Sequence, residues 1–448
     1  MKKICKVVCW VALLAVALQP VAQAQKIMTL KDCVDAARQG NSQVKDAQYD
    51  VLMADELRKY MKTKYYPTVS ASFSHFESTD YLVSVNLFDS PLKEIVDIIL
   101  DDVDIYKDGG IRAIKRGTSA GLSLLQPIYT GGRLRYFNKL AKLNVDARTM
   151  MKDVVDDNVV QTTEFLYYKV VEFHETDKLL EAMEKEVANI HQDAVNIYEN
   201  GIVNKNDVLS VELVQDQLSA LRVKAANGCK LLRRALAKYI GMADEDIDVD
   251  LNVEKDIVPP ETLQMNTAQA VEARTETQLL DIWADKASLE RKISRGSMLP
   301  VVLLGGSANY SKYIGNWKPR ALAFATVQMP ISAFWSERHL YKRSKIAEQK
   351  ALDFRQDKRE LITLQVQDAY DNLESTYRQT QIAAKSITRA EENLRINREH
   401  YRAGMCNMTS LLDAQRQQQQ AQMQYNSAIC EYMQAKTRYL ILTGRRQY

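Results

Sequence analysis

The side chains able to do chemistry are scattered along the chain. His75, His174, His191, His339 and His400 share no metal-ligand interval, and none has a triad partner nearby. Cys33, Cys229, Cys406 and Cys430 show no CxxC spacing and no histidine at a ligand interval. A zinc site or disulfide framework is therefore poorly supported, and the pairing state of these four cysteines stays open. Met405-Cys406-Asn407-Met408 puts three soft sulfurs on one turn, which could bind Cu(I) and point to metal export. Methionine at a docking tip is the commoner explanation, so no metal and no cofactor is assigned. Two aspartates follow glycine turns. Asp413, in Ser410-Leu411-Leu412-Asp413, reads in the plainest case as a solvated helix face. Asp207 reads equally well as an N-cap whose carboxylate accepts the free N–H groups of a first helical turn. No acid–base pair recommends itself, and the chain is read as a non-enzyme.

The elements that carry these residues repeat. Gln126-Pro127-Ile128-Tyr129 is echoed by Met329-Pro330-Ile331-Ser332, and Tyr198-x-x-Gly201 by Tyr401-x-x-Gly404, both at an offset of 203. Tyr66-Pro67 is echoed by Leu299-Pro300 at 233, which leaves extra residues in the first half, about 76–115. That insertion contains Pro91-Leu92-x-x-Ile95-Val96-x-Ile98-Ile99, amphipathic enough for a short helix; its role is left open. Leu180, Met183, Val187, Ile190, Ala194 and Ile197 follow the 3-4 spacing of a coiled-coil seam, as do Val211, Val214, Leu218, Leu221, Ala225, Gly228, Leu232 and Ala235. The same rhythm returns after residue 383, so two antiparallel helical hairpins are expected, turning at Gly201 and Gly404. A first modest helix is expected from Leu30 to Lys64.

Between the helices the period changes to two. Val69, Ala71 and Phe73 alternate with Ser70, Ser72 and Ser74, and Ala120, Leu122 and Leu124 with Ser119, Gly121 and Ser123. One apolar and one small or polar face is what a barrel strand between lipid and water requires. The expected organisation is a signal peptide at 1–24 and a first repeat at 25–240, with strands about 65–76 and 117–130, a long helix about 135–200 and a return helix 207–240. An acidic linker follows at 241–265, and then a second repeat at 266–448, with strands about 298–312 and 319–332, a long helix about 335–401 and a return helix about 408–441. Four strands close no useful barrel, and an open sheet edge cannot face lipid, so several copies must share one barrel.

The chain start fits export. Lys2, Lys3 and Lys6 precede an apolar stretch from Val7 to Leu18 and then Ala22-Gln23-Ala24, the three parts of a cleaved secretory signal. The formal charge of +3 includes those three lysines, so the mature chain is neutral, which argues against nucleic acid as a partner. No later apolar run is long enough for a transmembrane helix.

Gln126-Pro127-Ile128-Tyr129-Thr130-Gly131-Gly132 and the two Tyr-x-x-Gly turns resemble the TolC-like outer-membrane efflux proteins over essentially the whole mature chain. The resemblance implies a mainly α fold with a membrane β-barrel: a homotrimer with a twelve-stranded barrel and an α-helical coiled-coil tunnel in the periplasm. It also implies passive exit for a tripartite efflux or type I secretion system, with a periplasmic adaptor and an inner-membrane transporter of RND, ABC or MFS type as partners. Gly201-Ile202-Val203 and Asp207 match the family turn. Of the family's paired channel-lining aspartates only the second is present, as Asp413; the first falls on Ser410, and an often basic position falls on Cys406. The resemblance thus places a pore constriction at Asp413, Ser410 and Asp207, and adaptor-docking tips at Gly201, Ile202, Val203, Gly404 and Met405. The alternative is an exported coiled-coil stalk that never enters a membrane; it would be soluble without detergent. The substrate is not readable, since a passive duct takes its specificity from the pump it serves.

Overall fold

The structure is a computed structural model that describes residues 26–86, 106–107, 110–201, 203–251, 257–313 and 316–445. The expected signal peptide, the amphipathic stretch from Pro91 to Ile99, and Ile202 lie outside the described residues. In chain order the described elements are β1 (Lys26–Met28), α1 (Leu30–Gly40), α2 (Ser42–Thr63), β2 (Thr68–Glu77), β3 (Val83–Asn86), β4 (Tyr106–Lys107), β5 (Gly110–Ala113), β6 (Arg116–Thr130), α3 (Arg133–Glu199), α4 (Lys205–Tyr239), β7 (Ile247–Val249), α5 (Thr267–Ala273), α6 (Thr275–Gly296), β8 (Val301–Lys312), β9 (Lys318–Gln328), α7 (Glu337–Arg402) and α8 (Met408–Leu442). At 67 and 66 residues, α3 and α7 are each about 100 Å long. The chain forms two compact units, one of residues 1–50, 148–280 and 356–448, the other of 51–147 and 281–355. Each unit draws on both halves of the sequence.

The first unit is helical. Leu180, Met183, Val187, Ile190 and Ala194 of α3 are buried against Val211 and Leu218 of α4, Leu394 and Tyr401 of α7, and Met408 and Leu411 of α8. These are the apolar positions at 3-4 spacing, and burying such a stripe is what stabilises long helices beyond their propensity. Leu221 leaves the seam and is exposed. Gly228 leaves room for the ring of Phe173, whose nearest atom would lie 2.6 Å from an added Cβ.

The helix expected from Leu30 to Lys64 is two helices, broken at Asn41. At that break Gly40 meets the end of α4: a Cβ on Gly40 would lie 2.3 Å from the Ile240 carbonyl oxygen. Asn41 donates from Nδ2 to the Tyr239 carbonyl at 2.8 Å and accepts the Gln43 N–H at 2.7 Å. The kink is therefore set by packing against a segment two hundred residues away. Gly241, at φ +83°, completes the contact, and Gly444, at φ +73°, sits against Ala273 at the corresponding break between α5 and α6.

The acidic linker is tied down at both ends of its described part. β7 pairs in parallel with β1. Further on, Tyr432 of α8 donates to the Val258 carbonyl at 2.7 Å and accepts the Val258 N–H at 3.1 Å, and the Tyr439 hydroxyl accepts the Met265 N–H at 3.1 Å.

The second unit holds a four-stranded antiparallel sheet in the order β2-β6-β8-β9. Register places Val69 opposite Leu124, Ala71 opposite Leu122 and Phe73 opposite Ala120, so the apolar residues share one face. The other face carries hydroxyl rows: Ser70 and Ser123 are hydrogen-bonded at 2.7 Å, Ser74 and Ser119 at 2.8 Å. The Gln-Pro-Ile-Tyr-Thr-Gly-Gly run turns strand into helix. The ladder slips between Pro127 and Tyr129, as expected of a proline without an N–H; the Thr130 hydroxyl accepts the Leu134 N–H at 3.3 Å; and Gly131, at φ +64°, approaches the Gly296 carbonyl too closely for a side chain. The insertion contributes a small sheet in the order β3-β5-β4.

Candidate functional site at the helical turns

α3 ends at Glu199 and α4 starts at Lys205; α7 ends at Arg402 and α8 starts at Met408. Gly201 and Gly404 reverse the chain at φ +73° and +70°, and nothing lies within 4 Å of a Cβ built on either. The need for glycine here comes from the left-handed backbone and not from space. The Gly201 N–H donates to the Tyr198 carbonyl at 2.8 Å, and the Met405 N–H to the His400 carbonyl at 2.8 Å.

The return helices open on asparagines. Asn407 caps α8 by accepting the Ser410 N–H at 2.9 Å and its hydroxyl at 2.8 Å. Asn204 holds the same position before α4, so Asp207 is not an N-cap: it stands three residues inside, where its charge favours the positive end of the helix. Ser410 and Asp207 thus occupy matching places in their helices. Asp413 lies one turn further along α8, half exposed, and is paired with Arg416 at 2.9 Å. Met405 is 69 % exposed while Met408 is buried in the seam, and Cys406 donates to the Asn397 carbonyl, so the three sulfurs of this turn enter different surroundings. Val203 is half-buried. All four cysteines of the described chain are free thiols.

Just above the turns the two hairpins are joined by charge. Glu186 of α3 pairs with Arg398 of α7 and accepts from Gln415 Nε2 of α8 at 3.1 Å; Gln415 is 2 % exposed. Asp193 pairs with Arg402 at 3.3 Å. Between these pairs lies a cavity of about 350 Å³ lined by Ile190, Tyr401 and Leu411. The Tyr401 hydroxyl is buried there with no hydrogen-bond partner; burial, with Asp207 and Asp193 nearby, raises its pKa. This arrangement holds two hairpins together through ion pairs that water can reach. It offers no nucleophile and base in contact.

Residues 282–445 match the sequence model of the outer membrane efflux protein family. The carboxy-terminal part of the chain, from within α6 to the end of α8, thus carries that family's sequence pattern. Its fold is that of solved channels at low sequence identity. The crystal structures of CusC, described by their transmembrane channel formation, align with a TM-score of 0.79 at 13 % identity, covering 95 % of each chain. VceC of Vibrio cholerae aligns at 0.74 and 12 % over 93 % of this chain and 96 % of that one. The CmeC channel of Campylobacter jejuni aligns at 0.76 and 14 % over 93 % and 85 %. No curated protein matches the chain by sequence.

The efflux-protein motifs drew attention to Asp207, Ser410 and Asp413, yet the side chains that join the hairpins, Glu186, Arg398, Arg402 and Gln415, were not singled out. Glu186 stands beside Val187 of the seam like any solvated charge. Only the pairing of α3 with α7 and α8 shows that it faces a partner.

Proposed function

We propose that three copies of this chain close a twelve-stranded outer-membrane barrel and a periplasmic helical tunnel, giving passive exit to substrates of a tripartite efflux or type I secretion system. The observation that carries this reading is the sheet: four strands with one apolar exposed face, and two edges, β2 and β9, that pair with nothing among the described residues. Open edges cannot stand in hydrocarbon, and joining β9 of one copy to β2 of the next removes them. The transmembrane channel formation described for CusC, whose fold this chain shares, supports the channel reading. In this reading the amino-terminal signal is cleaved, Asp413, Ser410 and Asp207 line the periplasmic constriction, and Gly201, Ile202, Val203, Gly404 and Met405 present the docking surface for an adaptor that links to an inner-membrane pump.

Assembly is tested by extracting the mature protein from outer membranes and measuring its mass in detergent and its conductance in planar bilayers. A heat-sensitive trimer that requires detergent and conducts is expected. A soluble monomer would refute the barrel.

A further inference from the structure

The strand ends at Thr68, Thr130, Val301 and Gln328 adjoin helical segments, whereas Glu77, Arg116, Lys312 and Lys318 adjoin loops. If the helices occupy the periplasm, as proposed above, the second set marks the outer rim of the barrel. On the apolar face, Arg116 opposite Glu77 forms the outermost pair at this rim, and His75, Thr118 and Lys312 form the next row inward. Register fixes them to one face, and His75 Nδ1 lies 2.7 Å from Thr118 Oγ1. Lys312 and Arg116 form no ion pair within the described chain; Glu77 is the only described carboxylate on this face of the sheet.

Below these cations the face is hollow. Ala71, Ala120, Leu122, Ala308, Tyr310 and Ala321 line a shallow groove of about 700 Å³. One wall is stiffened by Tyr310, whose ring stacks on Trp317 at 5.1 Å between centroids and 12° between planes. The groove and Lys312 lie chiefly on β6 and β8, the two central strands, so one chain completes the site whatever closes its edges. Strand rise puts His75 about 13 Å from Ala71. That is headgroup over acyl chain.

We propose that this face binds an anionic lipid of the outer leaflet, its phosphate held by Lys312 and Arg116 and one acyl chain seated in the alanine-floored groove. Two cations at the level of the polar heads, an adjacent hydroxyl and imidazole, and an aromatic stack beside them match a phosphorylated sugar headgroup, which accepts hydrogen bonds and offers a flat face to a ring. The apolar groove separates this partner from free phosphate, which has nothing to place there. The inference rests on the barrel reading for its orientation.

The test uses the full mature protein in detergent, titrated with a diphosphorylated disaccharide lipid and followed by native mass spectrometry, with phosphatidylcholine and inorganic phosphate as comparison ligands. Lys312→Gln with Arg116→Gln is expected to weaken retention of the phosphorylated lipid roughly tenfold or more, since each basic side chain near anionic headgroups is worth about one kcal/mol. Lys318→Gln removes a charge from the opposite face of the sheet, outside the lining of the groove, and should leave retention unchanged. Ala308→Leu, which fills the groove without touching charge, should weaken it several-fold. An equal loss from Lys318→Gln, or retention unaffected by the Lys312 and Arg116 variant, would overturn the proposal, as would displacement by inorganic phosphate alone. Conductance measured on the same preparations separates the two readings: a conducting protein with unaltered lipid retention refutes the lipid site only, and a protein that never needs detergent refutes both.

Discussion

Glu186 bonds to both helices of the other hairpin, so in the proposed tunnel widening the gap between hairpins must break its bonds to Arg398 and Gln415. Glu186→Gln keeps the shape and removes the charge. The two partners are 30 % and 35 % exposed, which screens the pair, so we set its loss at about 1 to 2 kcal/mol per chain. If three chains open together the shift is about 3 to 6 kcal/mol, or roughly two to four orders of magnitude in the closed-to-open ratio. Single-channel recordings should show a raised open probability, and cells should become sensitive to large antibiotics otherwise excluded. Arg398→Gln should do the same, and the double variant should add little to either. Arg395 is the control: it pairs with Glu392 and Glu399 on its own helix at 2.7 and 2.8 Å, so Arg395→Gln should leave gating unchanged. Wild-type conductance from Glu186→Gln, or equal opening from Arg395→Gln, would refute the argument.

Asp413→Asn should lower cation preference in reversal-potential measurements, Arg416→Gln should raise it by freeing the paired carboxylate, and Ser410→Asp should strengthen block by trivalent cations. Ile202→Asp and Met405→Asp should abolish efflux and adaptor pull-down with trimer yield unchanged. In thermal denaturation Gly404→Ala should cost about 1 kcal/mol, the strain of a left-handed backbone alone, while Gly241→Ala should cost several times more because its Cβ would also lie 2.6 Å from Gly40. Burial pushes the Cys33 thiol from 9.0 up to about 12, so the folded chain keeps a proton that the unfolded chain releases. Its stabilising contribution is complete below about pH 9 and is lost as pH rises toward 12; maleimide labelling of Cys33 at pH 9 should require unfolding.

The parts of the fold that local pattern encodes were readable. The 3-4 spacing of Leu180 to Ile197 marks a long helix because so many turns repeat one choice, and the serine alternation of β2 and β6 marks two-faced strands. What escaped depends on distant partners. Gly40-Asn41 is a weak local stop signal, and what fixes the break there is distant: the Ile240 carbonyl approaches Gly40 and the Tyr239 carbonyl accepts from Asn41. Leu221 fits the seam by spacing yet is exposed, since a straight helix drifts away from a strict seven-residue rhythm. At the candidate site, the turns at Gly201 and Gly404 are legible from their glycines, whereas the spacing leaves Asp207 open between a cap, the place Asn204 occupies, and the constriction, and nothing in it pairs Arg416 with Asp413. Charges on a helix surface look alike until their neighbours are known.

The ladder between β6 and β8 joins Thr118 to Lys312 and Thr130 to Val301, so the centre of the sheet unites segments made far apart in time. An exported chain emerges from its amino terminus onward, and the β2–β6 hairpin is therefore complete well before β8 arrives. During that interval β6 offers an unpaired edge and an apolar face to water, the combination most prone to wrong strand addition. The tyrosines that latch the linker come later still, from the last helix. On the proposed outer-membrane reading, delivery of this chain depends on something that covers one hairpin while the about 170 residues between Thr130 and Val301 cross the inner membrane.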